Sequence, residues 1–179
     1  MTQLLFQNKY RIPSIRLKKH DYSLSRYYFI TICTHNKKYI LGKIMNNKMK
    51  LSWVGKIINT VWKNLPKYYS NCVLDEFVIM PNHIHGIIYI KNTSGNKKHT
   101  LSDIVRSFKS FSTREINRVQ KTPKNLLWQT RFYENIVRDG NALESIRQYI
   151  RNNPLKWYRD RNNFYFVEKK RRVSDPSLQ

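Results

Sequence analysis

Two histidines stand one residue apart at the start of an apolar run, in the segment MPNHIHGIIYI of residues 80–90. In a strand, residues i and i+2 lie on one face about 6–7 Å apart, so His83 and His85 would share a face. Imidazoles at that spacing can bind one divalent cation when another part of the chain supplies a third ligand. The alternative is a pair of partly exposed histidines without a ligand. Polar groups on one face of an apolar strand are costly unless paired or ligated, which makes the metal site about as well supported as the alternative.

A tyrosine and an asparagine form the second group, in QYIRNNP at residues 148–154. Tyr149 and Asn153 are four residues apart, so a helix would place a phenol and an amide on one face. The alternative is that Tyr149 is an aromatic edge of the core, because Ile150 follows it. The chain has 12 tyrosines, so the spacing is informative and the residue type is not.

Strands that could position the histidines are indicated by runs of aromatic and β-branched residues. RYYFITICT predicts a first strand at residues 26–34, and CVLDEFVIM and HIHGIIYI predict two more, split by a Pro-Asn pair. YILGKIMNNKMKLS predicts a hairpin at residues 39–52 that turns at Asn46 and Asn47, because asparagine tolerates the positive φ of a tight turn. LLWQTRFYENIVRD, residues 126–139, is predicted to be a short extended stretch.

Helices are predicted where apolar residues recur at helical spacing. They cover residues 52–69, 100–119 and 141–153, and Pro154 ends the last of them. The order of strands and helices, without a long linker, predicts one α+β domain in which helices pack on an antiparallel sheet.

The charge balance is strongly basic. The 179 residues include 34 Lys and Arg against 11 Asp and Glu, a formal net charge of +23 and a pI of about 10.2. A polyanionic partner is expected, and nucleic acid is the usual one.

No apolar run reaches the roughly 18 residues that span a bilayer, and the N-terminus lacks a signal-peptide core, so we expect a cytoplasmic protein without a membrane partner. Cys33 and Cys72 have no CxxC spacing and are expected to be free thiols.

Longer segments carry a family resemblance. FVIMPNHIHGIIYI resembles the histidine–hydrophobe–histidine (HUH) signature of single-tyrosine HUH transposases. Further matches are SIRLKKHDYS, YYFITICTHNKKYILG, LSDIVRSFKSFSTREIN and WQTRFYENIVRDGNALESIRQYIRNNP. Together, over roughly residues 11–157, they resemble the REP-associated tyrosine transposases, bacterial proteins tied to repetitive extragenic palindromes. The resemblance implies a ferredoxin-like antiparallel sheet with the HUH motif on a central strand.

The same resemblance divides the chain and assigns its site. It implies an HUH transposase domain at residues 26–157, and the composition of the flanking stretches predicts a basic N-terminal arm at 1–25 and a basic tail at 158–179. The nucleophilic tyrosine of the family lies on a late helix in a YIxxQ or YIxxNP setting, which Tyr149 occupies, and Asn153 takes the place of a polar residue that can complete the metal site. Tyr133, in FYENIVR, is the rival nucleophile.

The activity that the resemblance implies is cutting and rejoining of single-stranded DNA at palindromic hairpins through a 5′-phosphotyrosine. His83 and His85 would bind Mg²⁺ or Mn²⁺, and the protein would be nucleoid-associated. A monomer is favoured, with a homodimer as the alternative. The alternative functions are a catalytically silent DNA- or RNA-binding protein of this fold and an RNA-binding module with incidental histidines.

Basic residues with interleaved aromatics are expected to contact the DNA backbone. The candidates in the arm, in the second predicted helix and in the tail are Arg11, Arg16, Lys18, Lys19, Arg106, Lys109, Arg114, Lys169, Lys170, Arg171 and Arg172.

Overall fold

Four antiparallel strands form the main sheet of the protein. The computed structural model describes residues 25–91, 99–122 and 125–163. The strands are β1 (Arg26–Cys33), β4 (Cys72–Met80), β5 (His83–Ile90) and β6 (Tyr133–Ile136). Their order in the sheet, β4-β5-β1-β6, is the ferredoxin-like arrangement that the resemblance implies, and the histidine strand β5 is central. The predicted α+β fold is confirmed.

A separate hairpin follows the first strand. It consists of β2 (Gly42–Met45) and β3 (Lys48–Leu51), and both residues of the turn have positive φ, 47° at Asn46 and 60° at Asn47. Such angles match the twist of a two-residue hairpin. The predicted turn is therefore confirmed.

The helix predicted over residues 52–69 is divided into two. Helix α1 (Trp53–Lys63) begins after Ser52, whose hydroxyl accepts from the main-chain nitrogen of Gly55, and a short helix α2 (Leu65–Tyr68) follows. Pro66 causes the break, because proline lacks an amide hydrogen and disfavours a helical conformation at the preceding residue. A proline is nevertheless tolerated in the first turn of the second helix.

The back face of the sheet, opposite the two histidines, is covered by α1 and by α3 (Leu101–Gln120). A Cβ atom on Gly86 would lie 2.6 Å from the ring of Trp62, so the lack of a side chain at this position allows the indole to pack against β5. The Trp62 ring stacks on Phe77 at 4.4 Å and meets Phe108 edge-on at 5.4 Å. The histidine strand is thus supported from behind by a packed aromatic layer.

Helix α4 (Gly140–Asn152), which carries Tyr149, packs against β4 and β5. Ile150 is its buried apolar residue. Two ion pairs join the helix to β4 beside a bulge at Leu74–Phe77, one between Arg147 and Asp75 at 2.6 Å and one between Arg151 and Glu76 at 2.6 Å. The hydrogen bonds from Arg147 hold the pKa of the Asp75 carboxyl below its ordinary value. The helix is therefore attached to β4 by two ion pairs as well as by packing.

Candidate active site

The two histidines point to the same face of β5 and are buried. His83 is 0% and His85 is 3% exposed, which excludes the interpretation of partly exposed histidines. Across the strands, His83 lies opposite Cys33 and Met80, and His85 lies opposite Thr31 and Val78. Both cysteines are free thiols, as predicted. Two buried imidazoles need hydrogen-bond partners or a ligand.

Each imidazole is fixed through its Nδ1 atom. Nδ1 of His83 lies 2.8 Å from Oδ1 of Asn82, and Nδ1 of His85 lies 2.8 Å from the hydroxyl of Thr31. The two Nε2 atoms converge to 3.1 Å from one another. A partner on the outer nitrogen is the usual way in which proteins orient a metal-binding histidine.

Asp160 joins the two histidines. Its side chain is 6% exposed, and Oδ2 lies 3.8 Å from Nε2 of His83. The potential ligand atoms of the two histidines and Asp160 all lie within 4.8 Å of one another. The sequence prediction missed Asp160 because it placed residues 158–179 in a tail. The available signal was an isolated acidic residue in the basic run KWYRDRNN.

The chain returns to the site after α4 through a 3₁₀ helix, Pro154–Arg159. The ring of Trp157 lies 6.0 Å from that of His83, and Tyr39 meets Trp157 edge-on. Asn163 accepts a hydrogen bond from the Tyr39 hydroxyl. Residues 158–163, assigned to the tail from sequence, therefore contact the domain.

Tyr149 lies at the histidines. Its hydroxyl is 3.3 Å from Nε2 of His85, although 46% of the residue is exposed. Phe29 stacks on His85 at 5.3 Å and packs edge-on against Tyr149 at 6.0 Å. Tyr133, the rival nucleophile, contacts the edge of Phe29 at 6.4 Å. The geometry brings the Tyr149 hydroxyl to His85 and the Tyr133 ring to Phe29.

Asn153 is next to this group and is 3% exposed. Its Oδ1 atom is buried and has no hydrogen-bond partner among the described residues. A buried carbonyl oxygen without a partner is costly, and it is also a ligand that hard divalent cations accept. The two imidazoles and the Asp160 carboxylate, whose potential ligand atoms lie within 4.8 Å of one another, fit a divalent cation.

Burial dominates the electrostatics of the site. It lowers the pKa of His83 well below its ordinary value, assisted by the neighbouring His85, and it lowers the pKa of His85 to about 3. Burial also raises the pKa of Tyr149, as does the nearby Asp160 charge, while a hydrogen bond from Asn153 opposes the shift. The imidazoles are thus neutral, the form that binds metals, whereas the phenol is not activated by the protein alone.

The predicted DNA-contacting residues fall into three groups. Arg106 and Arg114 are exposed on α3, and Arg114 lies over the Phe111 ring at 4.6 Å. Lys109 on the same helix donates to the main-chain carbonyls of Gln129 and Thr130, which holds the stretch before β6 in place. The candidates in the arm and in the tail lie outside the described residues: Arg11, Arg16, Lys18, Lys19, Lys169, Lys170, Arg171 and Arg172.

No helix in the described ranges combines the length and the apolar content that crossing a bilayer requires.

Comparisons with known proteins agree with the fold. Residues 21–153 match the family described as IS200-like transposases. An uncharacterised Haemophilus influenzae protein is 37% identical over 164 residues, 82% of this chain and 90% of that protein. A solved REP-associated tyrosine transposase bound to a REP hairpin superposes with a TM-score of 0.59 at 17% identity, covering 79% of this chain and 74% of the other. The chain belongs to the IS200-like transposase family.

Proposed function

We propose that the protein is a divalent-cation-dependent nuclease and strand transferase that cuts and rejoins single-stranded DNA at palindromic hairpins. The observation that supports this proposal best is the distance of 3.3 Å between the Tyr149 hydroxyl and Nε2 of His85, in a site that also contains His83 and Asp160. The solved relative of the same fold is bound to a REP hairpin, and we extend that substrate to this chain.

In the proposed reaction, Tyr149 is the nucleophile. Its phenol oxygen forms a bond to the scissile phosphorus, and the bond from phosphorus to the DNA 3′ oxygen breaks. The phenol loses its proton, and the 3′ oxygen gains one to become a free 3′-OH. The 5′ side stays attached as a phosphotyrosine, so a later 3′-OH can displace Tyr149 without an external energy source.

A divalent cation, Mg²⁺ or Mn²⁺, would be held by His83, His85 and Asp160. Mixed nitrogen and oxygen ligands suit Mn²⁺ well and Mg²⁺ adequately. When bound, the cation supplies positive charge that polarises the scissile phosphate and favours the phenolate. The chain needs this contribution because burial raises the pKa of Tyr149.

Asp160 supersedes Asn153 as our proposed third ligand. A carboxylate is a stronger ligand for a hard cation than an amide, and Asp160 lies within the same group of ligand atoms as the histidines. The Asn153 amide instead acts on the Tyr149 phenol, whose pKa it lowers, so we propose that it orients the nucleophile. Its unpartnered Oδ1 atom remains able to approach the cation.

Within one chain the Tyr149 hydroxyl already lies 3.3 Å from Nε2 of His85, which supports our proposal of a monomer as the active form. Arg106, Arg114 and the basic residues of the arm and tail would contact the DNA backbone. A cytoplasmic, nucleoid-associated location in the bacterium follows from this substrate.

A covalent-adduct assay tests the proposal. Labelled single-stranded DNA carrying a hairpin is incubated with protein and Mn²⁺, Mg²⁺ or EDTA, and is analysed on a denaturing gel. We expect an adduct with the wild type that requires the cation and disappears in Tyr149→Phe and His83→Ala. Tyr133→Phe is the matched control and should keep the adduct.

The outcomes separate the candidate functions. An undiminished adduct in Tyr149→Phe would show that another residue is the nucleophile. Tight DNA binding without any adduct would identify a silent binding protein, and a preference for RNA over the same DNA sequence would favour an RNA-binding module.

A further inference from the structure

Asn82 directly precedes β5, and its side chain is fully buried, with 0% exposure. The amide nitrogen donates to two main-chain carbonyls, that of Lys37 at 3.2 Å and that of Asn162 at 2.8 Å. Both amide hydrogens are therefore used, and the orientation of the amide group is fixed. The atom that faces Nδ1 of His83, at 2.8 Å, must be the oxygen.

This orientation determines where the proton of His83 lies. An amide oxygen only accepts hydrogen bonds, so Nδ1 of the neutral His83 must carry the proton and Nε2 must carry the lone pair. Nε2 of His85 lies 3.1 Å from Nε2 of His83. Since the His83 atom carries no proton, Nε2 of His85 must be the donor of this hydrogen bond in the metal-free protein. Nδ1 of the neutral His85 is then an acceptor, and the Thr31 hydroxyl at 2.8 Å donates to it.

We propose that Asn82 is a positioning residue that sets the tautomers of both histidines and holds the segment carrying Asp160 against them. The role in metal binding rests on the proposed function, whereas the proton assignments concern the metal-free chain alone. Both N–H groups of the amide donate to main-chain carbonyls, so the contacts do not require the side chains of Lys37 and Asn162.

Cation binding requires one further proton movement. The proton on Nε2 of His85 must leave that nitrogen, and Nδ1 is the atom that can take it. The Nε2–H bond is lost and an Nδ1–H bond forms, so the imidazole stays neutral. The Thr31 hydroxyl accommodates the exchange because it can rotate from donor to acceptor.

Nitrogen-15 NMR of the metal-free protein tests the assignments. We expect a His83 tautomer protonated on Nδ1 and a His85 tautomer protonated on Nε2. In Asn82→Asp, a carboxylate oxygen can still accept from His83, so its tautomer should be retained. In Asn82→Leu, which has the same branching and number of side-chain heavy atoms but no acceptor, it should shift toward Nε2–H. A wild-type His83 protonated on Nε2, or an unchanged tautomer in Asn82→Leu, would overturn the inference.

Mn²⁺ affinity, measured from the electron paramagnetic resonance of the free ion, tests the positioning role. Loss of such an outer partner typically weakens binding about 10- to 100-fold, which we expect for Asn82→Leu. Asn71→Leu is the matched control: Asn71 is 2% exposed and its amide donates to the carbonyl of His99, so the change removes a comparable buried contact elsewhere. Its affinity should stay at the wild-type value.

The two measurements distinguish the failure of this inference from that of the proposed function. A wild type that binds no Mn²⁺ would contradict the proposed metal site, and the NMR result would then decide the tautomer assignment by itself. A wild type that binds Mn²⁺ no better than Asn82→Leu would contradict the positioning role while leaving the metal site intact.

Discussion

Acidification should destabilise the metal-free protein through its buried histidines. Burial lowers the pKa of His85 to about 3 in the folded state, from 6.5 for an ordinary imidazole, and it lowers that of His83 in the same direction. The unfolded chain therefore binds more protons than the folded chain below pH 6.5, so the free energy of unfolding decreases as the pH falls through that value. The effect is absent above about pH 8, where both states hold a neutral ring.

The magnitude for His85 follows from its two pKa values. Between pH 6.5 and pH 5, an interval of about 1.5 pH units, the unfolded imidazole is protonated and the folded one is not. Each unit is worth about 1.4 kcal/mol, so His85 alone should cost about 2 kcal/mol between pH 8 and pH 5. His83 adds to this loss because its pKa is shifted in the same direction.

Guanidinium unfolding in EDTA at pH 8 and pH 5 measures the difference. His85→Gln is the comparison variant, because glutamine has no titrating group, and its loss should be smaller than that of the wild type by about 2 kcal/mol. Equal losses in the two proteins would refute the reasoning, since the pKa of His85 would then be the same in the folded and unfolded states.

Two further predictions concern the support of the site. Asp75→Arg places two cations together at the attachment of α4, so adduct formation should fall while Mn²⁺ affinity is kept. Adding Arg147→Asp restores an ion pair of reversed polarity and should recover the adduct. Failure of this recovery would show that the ion pair does not position the helix. Gly86→Ala brings a methyl group to 2.6 Å from the Trp62 ring and should lower the free energy of unfolding by about 1–3 kcal/mol in urea titrations, whereas an unchanged value would mean that Trp62 moves freely.

The strands and helices could be predicted because their patterns are local. The spacing of apolar and β-branched residues predicted each long strand and helix, and the Asn46–Asn47 turn was predicted from the conformational preference of asparagine. The division of the helix at Pro66 was also visible in the sequence, but the apolar spacing continued across it and suggested one helix.

The parts of the site that could not be predicted depend on long-range contacts. Asp160 reaches His83 only because the chain turns back after α4, and no local pattern marks that return. Lys109 looks like a surface cation in a helical pattern, yet its ammonium group donates to carbonyls of the stretch before β6. The closeness of Tyr149 to the histidines was predicted from the family resemblance, whereas spacing alone left it open.

The attachment of α4 has a consequence for the dependence on ionic strength. Glu144 lies 3.5 Å from both Arg147 and Arg151. Three of the chain's 11 acidic residues, Asp75, Glu76 and Glu144, thus form one network with these two arginines. Added salt screens such partly exposed pairs, and it also weakens the attraction between a +23 chain and DNA. Both effects act in the same direction, so catalysis should decline more steeply with salt than DNA binding does.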